Sequence, residues 1–160
     1  MYYANEWRGN AKGIKGGVMK YHFKVHKEGN GFWAECLELE GCFTQADSME
    51  ELCEMMKEAL NLYISEPEAS ARLAHLPDDS IKKAKNIVEV PVDSEVAFSF
   101  LVRFHRIKHG MTQQQVAKKL GFENVNSYQR LERKKCNPNL RTLSMIKGIF
   151  PEFSIDLAVI

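Results

Sequence analysis

The sequence has few of the residues that build metal sites and disulfide frameworks. Its 160 residues include four cysteines, at positions 36, 42, 53 and 136, and no two of them have Cys-x-x-Cys spacing. Five histidines are scattered, and His22 and His26, on one face of the first predicted strand, have no evident third ligand. This pattern predicts neither a zinc site nor a disulfide framework. We expect free thiols in a reducing cytoplasm, no metal and no cofactor.

Long apolar runs, phosphate-binding loops and nucleophile–base pairs are missing too. No stretch approaches the roughly 20 apolar residues of a membrane span, and the N-terminus has no apolar segment of a secretory signal. The glycines at 13–17 and 29–31 lack the strand–turn–helix context of a phosphate loop. A nuclease would need carboxylates that converge on metal ions, and nothing in the sequence shows this. We expect no enzymatic activity, with a nuclease as a minor alternative.

Positive and negative charges are concentrated in different halves of a nearly neutral chain. Residues 97–150 hold eleven Lys and Arg against two Glu, a net charge of +9. Residues 19–66 hold four Lys against ten Asp and Glu, a net charge of −6. Such an asymmetry indicates separate partners for the two halves. The basic half suits nucleic-acid phosphates, and the acidic half suits a basic protein surface unless it is simply a solvated face.

The stretch from 111 to 143 has the signals of a helix-turn-helix. Thr112 and Gln115 have the spacing of a capping box at a helix start. Gly121 is suited to end that helix, and Asn124 to cap the next. Tyr128 and Leu131, three residues apart, are predicted to face inward. We therefore predict two short helices joined by a tight turn.

The second helix of this pair carries side chains that can read base edges. Amides of Asn and Gln pair with adenine, and Arg pairs with guanine, when a helix N-terminus enters the major groove. A basic run follows, placed to meet phosphates. The predicted DNA-binding residues are Gln113, Asn124, Asn126, Ser127, Gln129, Arg130, Arg133, Lys134 and Lys135. The stretch resembles the phage-repressor and Cro-like helix-turn-helix family. Its turn is one residue longer than the usual form, which leaves the base-contacting positions open by one residue.

The N-terminal half predicts a small sheet with one helix. Residues 19–27 and 32–39 alternate in polarity around a turn at 28–31, and 40–45 follow as a bend and a short third strand. A helix with an acidic first turn begins near Asp47 or Ser48 and ends before Pro67. After a linker at 67–85, the alternating residues 87–92 are predicted to return to the sheet. The order is β-β-β-α-β, and residues 1–18 are a flexible extension that leaves Met1 and Met19 both open as the natural start.

This half resembles the HicB antitoxin family. The resemblance rests on Glu38-Leu39-Glu40-Gly41-Cys42-Phe43-Thr44-Gln45-Ala46-Asp47-Ser48, followed by the acidic helix start. Glu38 and Ala46 depart from the family, which often has Pro and Gly there. The resemblance implies an α+β protein: a truncated ribonuclease-H-like HicB domain at 19–92 and an all-α helix-turn-helix domain at 96–160 with a closing C-terminal strand.

The resemblance also implies partners. The chain would neutralise a HicA-like toxin, a small basic mRNA-cleaving protein, and repress its own operon by binding double-stranded operator DNA. The predicted toxin-binding residues are Glu35, Glu38, Glu40 and Asp47. An exposed closing strand would form a homodimer or tetramer interface through Ile155, Leu157 and Val159. The alternative is a transcriptional regulator whose N-terminal domain senses a ligand or another protein. Either protein would be cytoplasmic, with no membrane partner.

Overall fold

The computed structural model describes residues 18–65, 73–133 and 136–159. The predicted flexible extension therefore lies, except for residue 18, outside the described residues. The N-terminal elements are β1 (Lys20–Glu28), β2 (Gly31–Cys36), β3 (Phe43–Ala46), α1 (Met49–Ser65) and β4 (Ile87–Pro91). The C-terminal elements are α2 (Ser94–Lys108), α3 (Gln113–Lys119), α4 (Val125–Gln129) and α5 (Leu140–Ile149), with 3-10 turns at Arg130–Glu132 and Ile155–Leu157. The predicted order β-β-β-α-β and the mixed α+β class are confirmed.

The four strands form one antiparallel sheet in the order β3-β2-β1-β4. β1 and β2 join through a tight turn in which Gly29 has a φ of +58°, a conformation that glycine adopts without steric cost. β4 pairs with β1 in the register Tyr21 to Val90 and Phe23 to Val88. The predicted return of the 87–92 segment to the sheet is therefore confirmed.

Helix α1 covers one face of this sheet. The core residues of β1 and β2, among them Tyr21, Phe23 and Ala34, are fully buried. Leu52, Met56 and Leu60 recur on one side of α1 at helical spacing and are buried against them. Side chains that alternate with the strand core residues lie on the opposite, open face of the sheet.

Helix α2 packs on α1 and ties the C-terminal half to the sheet. The guanidinium Nη2 of Arg103 donates a hydrogen bond of 2.7 Å to the carbonyl of Ile64, near the end of α1. The last carbonyls of a helix have no partner within the helix, and α1 has no basic residue in its own last turn. Asp93 N also donates to Asn61 Oδ1 at 2.9 Å. Arg103 on α2 thus supplies a donor for a carbonyl in the last turn of α1.

The predicted closing strand at the C-terminus is wrong. Ile155–Leu157 form a 3-10 turn, and Leu157 accepts a hydrogen bond of 3.0 Å from the backbone N of Met19. Phe153 is buried beside Phe98 and His105. Ile155 and Leu157 pack partly buried against the core of their own chain, while Val159 remains half exposed. The apolar residues of this segment therefore complete the fold instead of presenting a free strand edge.

Candidate nucleic-acid interface

Helix α3 begins with the predicted capping box. The hydroxyl of Thr112 accepts a hydrogen bond of 3.2 Å from the backbone N of Gln115. In return, the Gln115 side chain accepts one of 2.8 Å from the backbone N of Thr112. The two bonds satisfy amides that a helix start otherwise leaves unpaired. Val116 and Ala117 then face the core.

The turn between α3 and α4 accommodates the additional residue. Gly121 has a φ of +70°, and Phe122 and Glu123 lead to Asn124. The Oδ1 of Asn124 accepts a hydrogen bond of 3.0 Å from the backbone N of Ser127 and so caps α4. The additional residue therefore lies in the turn before Asn124, the N-cap of α4. The positions of α4 that face outward are counted from this cap.

Of the four polar residues predicted to face outward at α4, two are exposed and two, Ser127 and Gln129, are partly buried. Tyr128 and Leu131 are buried, whereas Asn126 and Arg130 are exposed. Ser127 is partly exposed, and its hydroxyl donates to the Asn124 cap at 3.2 Å. The helix is short, and a 3-10 turn at Arg130–Glu132 continues it. Asn126 and Arg130 are the most accessible of its predicted base-reading residues.

A buried carboxylate fixes the position of α4. Glu132 is 7% exposed and binds the guanidinium of Arg106 through both oxygens, at 2.5 and 3.2 Å. The hydroxyl of Tyr128 donates to the same carboxylate at 2.6 Å. Burial raises the pKa of the Tyr128 hydroxyl, so it remains a donor. Arg106 on α2 thereby holds the end of α4 in place, a role that sequence reading missed for both charged residues.

The same carboxylate orients two glutamines on the protein surface. Gln113 Nε2 donates to Glu132 Oε2 at 2.8 Å, and Gln129 Nε2 donates to Gln113 Oε1 at 3.0 Å. This arrangement leaves the carbonyl oxygen and the second N–H of Gln129 for another partner. An adenine edge needs one acceptor and one donor in this arrangement. The predicted residues Gln113 and Gln129 therefore act as one pair.

Exposed basic residues follow α4 and lie on α5. Arg133 is exposed directly after the 3-10 turn, and Arg141 is exposed on α5. Lys134 and Lys135, which belong to the predicted basic run, lie outside the described residues. α5 is capped by Asn139, whose Oδ1 accepts from the backbone N of Thr142 at 2.8 Å. Exposed cations thus follow α4 and lie on α5, whose first turn is capped.

The apolar residues of the last helix are only partly buried. Ile146 is buried and Leu143 partly so. Leu140 is 84% exposed, because it is the first residue of α5 and precedes the turn that meets the core.

The four predicted toxin-binding carboxylates lie in different surroundings. The side chain of Glu38 is only 4% exposed, and its Oε1 lies 2.6 Å from Nδ1 of His22. Glu35 contacts His26 at 3.1 Å. Glu40 and Asp47 are exposed. Glu38 therefore holds the loop after β2 against β1, while the other three carboxylates reach the surface.

Among residues 18–65, 73–133 and 136–159, no cluster of His, Cys, Asp and Glu could hold a metal ion. His22 and His26 share the open face of the sheet, but each pairs with a different carboxylate. Within the same residues, no helix is both long enough and apolar enough to cross a membrane.

Comparison with known proteins agrees with this geometry. A family model described as helix-turn-helix matches residues 102–147, which run from α2 into α5. A search of curated proteins finds no match to the chain. The matched span contains Arg106, Gln113, Gln129 and Glu132, the residues that fix and form the surface of α4. Residues 102–147 of this chain form a helix-turn-helix of the kind that binds DNA and regulates transcription.

Proposed function

We propose that the chain is a HicB-like antitoxin that represses its own operon. Its C-terminal domain binds operator DNA with α4 in the major groove, and its N-terminal half binds and neutralises a small basic mRNA-cleaving toxin of the HicA type. The function needs no cofactor and no catalytic step. The observation that carries this proposal is a helix-turn-helix packed directly on an acidic β-β-β-α-β half.

The DNA-binding part rests on the outer surface of α4. Asn126, Gln129 and Arg130 offer amide and guanidinium groups that pair with base edges in the major groove. The network around Glu132 holds this surface in one conformation, and a preorganised surface loses less entropy on binding. Arg133 and the basic residues beside it supply phosphate contacts, which position the domain without reading sequence. A two-fold dimer would suit an operator with paired half-sites.

The toxin-binding part rests on the N-terminal half. Its strand and helix order is that of the family it resembles, here proposed to form the truncated ribonuclease-H-like domain at 19–92. The net charge of −6 over residues 19–66 suits a basic partner, because opposite charges steer association. The same charge disfavours DNA on that half. We place both functions in the cytoplasm, where operator and mRNA meet.

Operator binding is tested by gel shift on the DNA upstream of the gene. Gln129→Ala and Arg130→Ala are each expected to weaken specific binding by about 5- to 150-fold, because a bidentate base contact is worth about 1–3 kcal/mol. Arg133→Gln should weaken all sequences alike and reduce the salt dependence. Lys82→Ala, an exposed lysine of the N-terminal half, is the matched control. Parent-like binding by both α4 variants contradicts the assignment of the reading surface.

Toxin neutralisation is tested by growth and by purification. A HicA-type protein encoded beside this gene should arrest growth when expressed alone and lose that effect when the full chain is co-expressed. The two proteins should then elute together from a size-exclusion column. Persistent arrest with separate elution contradicts the antitoxin assignment and favours a regulator with another kind of partner, while the DNA-binding result stands on its own.

A further inference from the structure

The two faces of the sheet differ in what covers them. α1 packs on one face, whereas the described part of the loop before β4 meets the open face at Glu38, which contacts His22 of β1, and at Glu89 of β4. There Asp78 N donates to Glu38 at 3.5 Å and Lys83 lies 3.7 Å from Glu89. Within the described residues, the open face of β2 and β3 has no such cover. Phe43 on β3 is 68% exposed and Leu37, just after β2, is 42% exposed.

These exposed apolar side chains adjoin a fixed aromatic pair. Trp33 on β2 stacks on His26 of β1 with ring centroids 4.0 Å apart and an angle of 11° between the planes. Glu35 contacts the same imidazole at 3.1 Å. Glu35 and Phe43 are direct cross-strand partners, as are Trp33 and Gln45, so all four side chains lie on the open face. We call Trp33, Glu35, Leu37, Phe43 and Gln45 the open-face patch.

Carboxylates border an open depression at the hairpin end of this patch. The depression has a volume of about 460 Å³. It is lined by Glu28, Gly31, Phe32, Trp33, Gln45, Ala46, Asp47 and Glu51. An aromatic ring beside three carboxylates attracts a cationic side chain, through the ring face as well as through ion pairs. Arg is favoured for such a site because its planar guanidinium both stacks and binds carboxylates.

We propose that the open-face patch is the docking surface for the basic partner protein, and that an Arg or Lys side chain of that partner enters the depression beside Trp33. This inference rests on the proposed function and names its contact surface. Charge selects the occupant at the depression, where Glu28, Asp47 and Glu51 would repel both DNA phosphates and the same carboxylates of a second copy. Aromatic residues are enriched at the centres of protein interfaces, and Trp33 is held in place by its stack on His26.

The test measures binding of the full chain to the HicA-type protein encoded beside it by isothermal titration calorimetry. Phe43→Ser removes the most exposed apolar group of the patch without opening the core, and we expect it to weaken binding about tenfold or more. Leu62→Ser is the matched control, because Leu62 is 62% exposed on α1, which covers the other face of the sheet. It should leave affinity within about twofold of the parent.

A double variant tests the cationic contact. Asp47→Asn combined with Glu28→Gln should weaken binding and flatten its dependence on salt, because screening acts on the charges removed. Operator binding serves as the check that each variant is folded. Parent-like toxin affinity of Phe43→Ser overturns the docking surface while leaving the antitoxin function intact. Failure of the parent chain to bind the toxin overturns both.

Discussion

The two halves of the molecule each bury a carboxylate, and they use it differently. Glu38 in the sheet half meets the imidazole of His22 and closes a loop onto a strand. Glu132 in the helix-turn-helix half meets Arg106, Tyr128 and Gln113 at once. The first contact stabilises local structure only, whereas the second also sets the position of side chains predicted to touch DNA. The buried carboxylate therefore closes a loop in the sheet half, whereas in the helix-turn-helix half it positions other side chains.

The largest effect is expected from breaking the pair in the helix-turn-helix half. Glu132→Gln leaves Arg106 buried without its counter-charge, and breaking one partner of a buried ion pair costs about 3–5 kcal/mol. Urea denaturation should show this loss in the free energy of unfolding. Glu123→Gln, an exposed change in the preceding turn, should remain within about 0.5 kcal/mol of the parent.

The same substitution at Glu38 sharpens the comparison. Glu38→Gln keeps an oxygen that can accept the hydrogen bond from His22, so the expected cost is smaller, about 1–3 kcal/mol. An equal loss for Glu38→Gln and Glu132→Gln would show that the two carboxylates have the same structural weight. The operator affinity of the Glu38 variant should stay at the parent value.

An intermediate effect is expected at the seam between the halves. Arg103→Met removes the donor to the Ile64 carbonyl, and a hydrogen bond from a charged group is worth about 1.5–3 kcal/mol. Lys57→Met breaks the more exposed 2.8 Å pair with Asp93 across the same seam, which is worth about 0–1 kcal/mol. Unfolding followed by both far-UV circular dichroism and Trp fluorescence would measure each cost. Equal costs would contradict a special role for Arg103.

The smallest effect is a pH dependence from His105. Burial lowers the pKa of its imidazole, with Glu152 opposing that effect. As pH falls, the unfolded chain binds the proton at a higher pH than the folded chain does. The contribution of the neutral imidazole to the free energy of unfolding is therefore complete above about pH 6.5 and is lost as pH falls from there through the lower folded pKa. Unfolding of His105→Leu between pH 5 and 8 should lack this component. His75→Gln, at an exposed position, should retain it.

Local signals in the sequence predicted most of the sheet half and the first helices of the helix-turn-helix. Polar alternation places β1, β2 and β4, and the caps at Thr112 and Asn124 give the starts of α3 and α4. These features depend on neighbours a few residues away, so a single sequence contains them. The family match covers only the part that the caps already indicated.

Long-range contacts explain what the sequence did not predict. An apolar run such as residues 155–160 is compatible with a strand or with a packed core segment, and contacts with Met19 and the α2 aromatics decide between them. The burial of Glu38 likewise depends on His22, sixteen residues earlier. The domain limits at 92 and 96 stay predictions. Neither the contacts of residues 155–160 nor the contact of Glu38 with His22 produces a periodic pattern in the sequence.

The bond from Arg103 to the end of α1 has a consequence for exchanging parts between proteins. A chimera that joins the sheet half at 92–96 to the helix-turn-helix of another protein would leave the Ile64 carbonyl without its donor. Because α2 also carries Arg106, a junction after Lys108 would separate α3 and α4 from the arginine that holds α4 in place. α2 makes contacts with both halves, so a functional chimera must take α1, α2 and the helix-turn-helix from the same protein.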